Sequence, residues 1–92
     1  MQVYFVYILE CEDGSYYTGI ATDVERRFRE HRKGNGGHYT RAHAPARVAY
    51  SETQPDRSSA LKREAEIKSW THKEKAALVR SKRRARWGRR SA

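Results

Sequence analysis

The stretch YFVYILECEDGSYYTG, residues 4–19, reads as two short strands around an Asp13-Gly14 turn. In the first strand apolar residues fill both the odd positions (Val3, Phe5, Tyr7, Leu9) and the even ones (Tyr4, Val6, Ile8). A strand that is apolar on both faces is covered on both. Residues 3–11 are therefore expected at the centre of a sheet, with 15–20 returning as the hairpin partner. Four of the six tyrosines, Tyr4, Tyr7, Tyr16 and Tyr17, lie in this one stretch. A buried phenol must find a hydrogen-bond partner or bear a desolvation cost that phenylalanine avoids. So many tyrosines in one hairpin ask for a use of their hydroxyls.

Loop length decides whether two of them can work together. A two-residue Asp13-Gly14 loop would pair Glu12 with Ser15 and put Tyr7 and Tyr17 on opposite faces. A three-residue loop, Glu12-Asp13-Gly14 with Gly14 left-handed, pairs Cys11 with Ser15. Leu9 then faces Tyr17, Tyr7 faces Gly19, and the two tyrosines become diagonal neighbours. A shared site requires the second form.

Working outward, Thr22-Asp23-Val24-Glu25 reads as a capping box opening a helix to about Lys33, stopped by the GNGG loop at 34–37. ARVAYSE, residues 46–52, is expected as a third strand. Pro55-Asp56-Arg57-Ser58 opens a second helix reaching about Ser69, and Thr71 caps a third over 72–81. The fold class is α+β: a small three-stranded antiparallel sheet flanked by helices in the order β-β-α-β-α-α. One domain is expected over residues 1–81, followed by a disordered basic tail over 82–92.

The chain has 92 residues and 37% apolar content, enough for one modest core. A single cysteine, Cys11, excludes an intrachain disulfide framework and fits a reducing compartment. The opening MQVYFVYILE lacks a basic leader and a cleavage site, and its apolar run is too short to span a bilayer. A soluble cytoplasmic protein with no membrane role is expected.

The net charge of +9 is unevenly placed. Residues 80–92 (RSKRRARWGRRSA) carry seven bases and no acid, whereas the rest carries thirteen bases against eleven acids. Residues 1–25 hold five acids and no base, while 26–47 hold seven bases and only Glu30. A basic middle and a basic tail suggest a polyanion partner, most simply nucleic acid. Read blandly, the tail is a solvated segment that aids solubility.

The second helix carries an anomaly. Its apolar stripe runs Ala60, Leu61, Ile67, and helical spacing puts Glu64 in the middle of it. A carboxylate there must be paired with a base such as arginine, protonated, or bound to a metal. In the first helix Val24 and Phe28 mark the buried face, Arg27 and His31 flank it together, and Arg26 and Arg29 face solvent.

These residues together resemble the GIY-YIG endonuclease domain, in its short stand-alone bacterial branch. The first signature matches as Phe5-Val6-Tyr7 and the second as Tyr17-Thr18-Gly19. The family's arginine falls on Arg27, and the position four residues on, His or Tyr in relatives, falls on His31. Its glutamate pattern, A-L-x-x-E-x-x-I-K, reads here Ala60-Leu61-Lys62-Arg63-Glu64-Ala65-Glu66-Ile67-Lys68. The resemblance covers residues 3–79. Phe5 stands where the first signature has glycine, and no asparagine follows the last helix, where several branches place one that contacts substrate.

What the resemblance implies is hydrolysis of a nucleic-acid phosphodiester, on branched or damaged DNA in repair or recombination, with DNA ahead of RNA as partner. Glu64 and waters would hold one Mg²⁺ or Mn²⁺, an ion that keeps much of its hydration. Tyr17 would be the general base. A phenol of pKa about 10 needs a nearby cation to work at neutral pH, and Arg27 would supply part of that field while gripping the phosphate. Tyr7 would hydrogen-bond the water or Tyr17, and His31 would position it or shuttle a proton. Arg26, Lys33, His38, Arg41, Arg83, Arg84 and Arg86 are the expected nucleic-acid contacts. His38-Tyr39-Thr40-Arg41 resembles a recurring segment of this branch that would line the site, and reads equally as a plain basic loop. His43 and His72 have no metal-ligand spacing, Tyr4 and Tyr16 read as ordinary aromatics, and Trp87 could stack on a base. The other reading is a binding module on the same fold that does not cut, or cuts only with a partner protein that targets it.

Overall fold

A computed structural model describes residues 2–91, with side chains through residue 81. The elements are β1 (Tyr4–Cys11), β2 (Tyr16–Ala21), α1 (Val24–Arg32), α2 (His38–Ala42), β3 (Pro45–Gln54), α3 (Arg57–Lys68) and α4 (His72–Ser91). The strands form one antiparallel sheet in the order β2-β1-β3. The doubly apolar strand is the central one, as its sequence requires.

The hairpin takes the three-residue loop. Leu9 faces Tyr17 and Tyr7 faces Gly19. The Cys11 N–H donates to the Ser15 carbonyl at 2.8 Å, and the Gly14 N–H donates to the Cys11 carbonyl at 2.9 Å. Gly14 adopts φ +86°, the left-handed conformation that closes such a loop with least strain.

Alternation along β1 divides its partners. Val6 and Ile8, both fully buried, pack with Ala60 and Ile67 of α3 and Val79 of α4. Each such side chain contributes roughly 1.5–3 kcal/mol through removal from water. Tyr7, between them in sequence, points to the opposite face and meets His31 of α1. On the apolar side a polar clasp ties α3 to β3. Glu52 accepts from Tyr50 at 2.6 Å and Gln54 at 2.7 Å, and from Arg63 at 3.0 Å. Burial pushes the Glu52 carboxyl up, but these three donors together hold it below its ordinary range.

Several expectations are corrected. The first helix is capped by Asp23, one residue later than the Thr22 box, with its carboxylate accepting from the Arg26 N–H at 3.0 Å. After the glycine loop the chain forms one helical turn, α2, where a plain loop was expected. The final helix is capped as expected: the Glu74 carboxylate accepts from the Thr71 N–H at 2.8 Å, and Thr71 Oγ1 accepts from the Glu74 N–H at 3.2 Å. Its span is His72–Ser91, where the sequence places the end of the helix at about 81. The side chains of Arg83, Arg84, Arg86 and Trp87 lie outside the described residues, and so do the nucleic-acid contacts expected of them.

No helix among the described residues is long and apolar enough to cross a membrane.

Candidate active site

The face of β1 opposite the apolar core carries a chain of buried polar groups. Tyr7 is 1% exposed and His31 is fully buried. The Tyr7 hydroxyl lies 2.9 Å from His31 Nε2, and His31 Nδ1 lies 2.8 Å from Thr40 Oγ1 of α2. Burial, and secondarily the Arg27 guanidinium, push the His31 imidazole below its ordinary pKa, so the ring is neutral. A neutral ring donates through one nitrogen and accepts through the other. Arg27 lies beside the Tyr7 oxygen and can only donate to it, which leaves the phenol proton free for His31. The Tyr7 O–H therefore donates to Nε2, and Nδ1–H donates to Thr40.

Tyr7 is held protonated. Burial, then Tyr17, push its phenol well above the usual tyrosine range, and Arg27 offsets this only in part. Gly19 makes room for it: a Cβ there would come within 2.6 Å of the Tyr7 hydroxyl. Gly36 does the same for the His31 ring, which any Cβ at that position would overlap.

Tyr17, on the same face, is half-buried. Its ring centre is 6.4 Å from that of Tyr7, 4.9 Å from the His31 ring, and 6.0 Å from Lys68 Nζ. Lys68 Nζ in turn lies 3.3 Å from Glu64 Oε2. Glu64 is close enough that its charge raises the Tyr7 phenol further. Arg27 pairs with Glu30 at 2.8 Å, a part-buried pair one turn along the same helix. Tyr7, Tyr17, Arg27, His31 and Glu64 thus come together from β1, β2, α1 and α3.

Two expectations about these residues change. Glu64 does not sit in the middle of the apolar face, because Leu61 is 37% exposed and the buried residues of α3 are Ala60 and Ile67, two turns apart. Glu64 lies at the edge of that stripe, its side chain 17% exposed, and its partner is a lysine of its own helix rather than an arginine. In α1 the one buried residue is His31, with Val24 and Phe28 half-covered. The His31 ring has no contact with solvent; it meets Tyr7 through Nε2 and Thr40 through Nδ1.

Among the described residues no group of three or more His, Cys, Asp or Glu could hold a metal ion. A lone, largely shielded carboxylate beside two phenols suits only a hard cation that keeps most of its water, such as Mg²⁺.

Arg26, Arg29, Lys33, His38 and Arg41 are exposed, so the basic middle of the chain faces outward. Tyr4 packs on the apolar core, and Tyr16 stacks on His72 at 4.5 Å, so neither belongs to this cluster. His43 Nδ1 lies 2.6 Å from Asp13, and His72 Nε2–H donates to the Gly14 carbonyl at 2.8 Å. The sequence places Thr40 in the His38–Arg41 segment but not its bond to His31, and gives Gly36 and Lys68 no role in the site. Only Lys68 had a signal, its i+4 spacing from Glu64 on one helix.

Residues 3–77 match the GIY-YIG catalytic domain. The chain is 52% identical over 76 residues to a UPF0213 protein of Haloquadratum walsbyi, spanning 83% of this chain and 85% of that one. It is 44% identical over 82 residues to a UPF0213 protein of Staphylococcus aureus, spanning 89% and 100%. The solution NMR structure of a UPF0213 protein from Bacillus halodurans is similar at TM-score 0.56 and 42% identity, covering 87% of this chain and 85% of that chain. That of the protein EF2693 from E. faecalis is similar at TM-score 0.60 and 36% identity, covering 88% and 86%. The match spans both tyrosine signatures, the arginine–histidine helix and the glutamate helix, and the chain belongs to the GIY-YIG catalytic domain family, a nuclease family.

Proposed function

We propose that this chain is a metal-dependent endonuclease that hydrolyses phosphodiester bonds of branched or damaged DNA, in repair or recombination. The observation that carries the reading is the convergence of two tyrosines, an arginine, a histidine and a carboxylate on one side of the hairpin. Beside the buried Tyr7–His31 pair, Tyr17 and Arg27 stay partly open to solvent, where a substrate can reach them.

Each side chain has a distinct task. Tyr17, half-exposed, takes the proton of the attacking water as its phenolate and becomes the neutral phenol. The Lys68 ammonium, 6.0 Å from the Tyr17 ring centre, favours that phenolate, adding to the part of the field expected of Arg27. Tyr7, protonated and tied to His31, fixes the wall of the site; its hydroxyl is directed to His31 rather than to Tyr17. The Arg27 side chain, 35% exposed, can turn its guanidinium from Glu30 to a phosphate oxygen and donate to it in the bidentate manner arginine favours. Glu64, with waters, would hold Mg²⁺ or Mn²⁺, which supplies charge neutralisation at the phosphate and the leaving oxygen. Arg26, Lys33, His38 and Arg41 extend the positive surface along which the DNA backbone lies.

The test is incubation with single-stranded, duplex, flap and junction DNA in Mg²⁺, Mn²⁺ or chelator. Nicking of the branched substrates with metal, and none with chelator, is expected. A folded protein that cuts nothing on this panel would leave a nucleic-acid-binding module on the same fold.

A further inference from the structure

The unforeseen turn α2 faces two ways. Inward, Thr40 is buried against His31. Outward, Tyr39 is 37% exposed, and it is the one exposed Phe, Tyr or Trp among the residues with described side chains. A ring partly open to solvent beside this cluster is available for contact with a bound base.

The ring is also held in place. Tyr39 stacks on His43 with centres 4.3 Å apart and planes at 22°, and its other neighbour is the Tyr17 ring at 5.7 Å. His43 is fixed from the hairpin loop by Asp13, 2.6 Å from Nδ1. The Asp13 carboxylate is already satisfied, accepting from the Ser15 N–H at 3.0 Å and the Ser15 hydroxyl at 2.6 Å as well. The turn itself carries no acid and presents His38 and Arg41 to solvent. An exposed, pre-oriented pair of flat rings on a basic turn matches the stacking platforms on which unpaired bases are held. Continuous duplex has no base face to offer such a platform.

We propose that Tyr39 and His43 form a base-stacking platform that holds an unpaired nucleotide next to the scissile phosphate, so that the site selects DNA with a single-stranded segment. This rests on the nuclease reading above and deepens it, naming what distinguishes the substrate.

The test is binding in chelator, with the base analogue 2-aminopurine placed in a single-stranded oligonucleotide and in the matched duplex. Wild-type protein should quench the analogue in the single strand. Tyr39→Leu should abolish quenching and weaken single-strand binding roughly tenfold, with duplex affinity unchanged. Tyr39→Trp, which keeps a flat ring, should restore both. Thermal unfolding confirms that each variant is folded. Tyr39→Leu that binds the single strand as tightly as wild type, or loses both forms equally, overturns the platform. Because cutting plays no part in this readout, quenching by a protein that never cuts supports the platform while removing the nuclease reading. Cutting without any strand preference does the reverse.

Discussion

The two faces of β1 use neighbouring residues for opposite ends. Val6 and Ile8 meet Ala60, Ile67 and Val79 in an apolar cluster that makes no chemical demand. Tyr7, between them, meets a fully buried histidine, which meets a buried threonine, and each polar atom in that chain has a partner. Apolar burial is tolerant of shape but contributes most of the stability. A buried polar chain contributes little net stability and is costly when any member is lost. The first face holds the domain together; the second sets the position and protonation of the site.

The comparison breaks first at Ile8. Ile8→Ala should cost about 2–5 kcal/mol, the range for truncating a fully buried aliphatic side chain, read as a lowered urea midpoint. On the other face Gly19→Ala places a Cβ against the Tyr7 hydroxyl and should cost about 1–3 kcal/mol by overpacking. Its stability loss should be the smaller of the two, and its loss of cleavage the greater. Equal stability losses with cleavage retained in both would erase the division of labour.

His31 gives a pH signature that no apolar residue can. Folding favours its neutral ring, so as pH falls through about 6.5 the unfolded chain takes up the proton first. The unfolded state then binds more protons than the folded one, and stability decreases on acidification. The contribution is fully present above that pH and is lost below it, ahead of the carboxylates. Urea unfolding at pH 7.5 and 5.5 should show wild type weaker at the lower pH. His31→Leu should flatten that difference while costing about 1–3 kcal/mol at both, because Tyr7 and Thr40 lose their partner. A His31→Leu slope equal to wild type would mean another group titrates.

Much of this was legible because it is local. Loop parity followed from requiring Tyr7 and Tyr17 on one face, and the doubly apolar strand announced its central place. Asp23 displaced Thr22 as the cap because both are good caps one residue apart, and only backbone geometry chooses between them. The turn α2 was hidden behind two glycines, and five residues are too few to show a helical period. The burial of His31 depends on Gly36 and Thr40 closing over it, contacts across a loop that no spacing rule reports. Glu64 was singled out for the wrong degree of burial: Ala60 and Leu61 were read as one stripe, yet they lie about 100° apart around the helix and only Ala60 faces the sheet.

Glu64→Gln has the smallest expected effect on stability and the largest consequence for the account. Its only ion pair among the described residues is with the half-exposed Lys68, an i,i+4 pair of the kind worth about 0.3–0.5 kcal/mol. A neutral amide also avoids the cost of shielding a carboxylate from water, so thermal unfolding in chelator should barely change. The decisive measurement is nicking of a flap substrate in Mg²⁺ by wild type and Glu64→Gln, beside the affinity of each for the same DNA. Wild type should cut; the variant should bind as well or better, because a negative charge has left the site, and should not cut. A variant that cuts like wild type, or a folded wild type that cuts nothing while the variant unfolds several kcal/mol more easily, would contradict a metal-bearing catalytic role for Glu64.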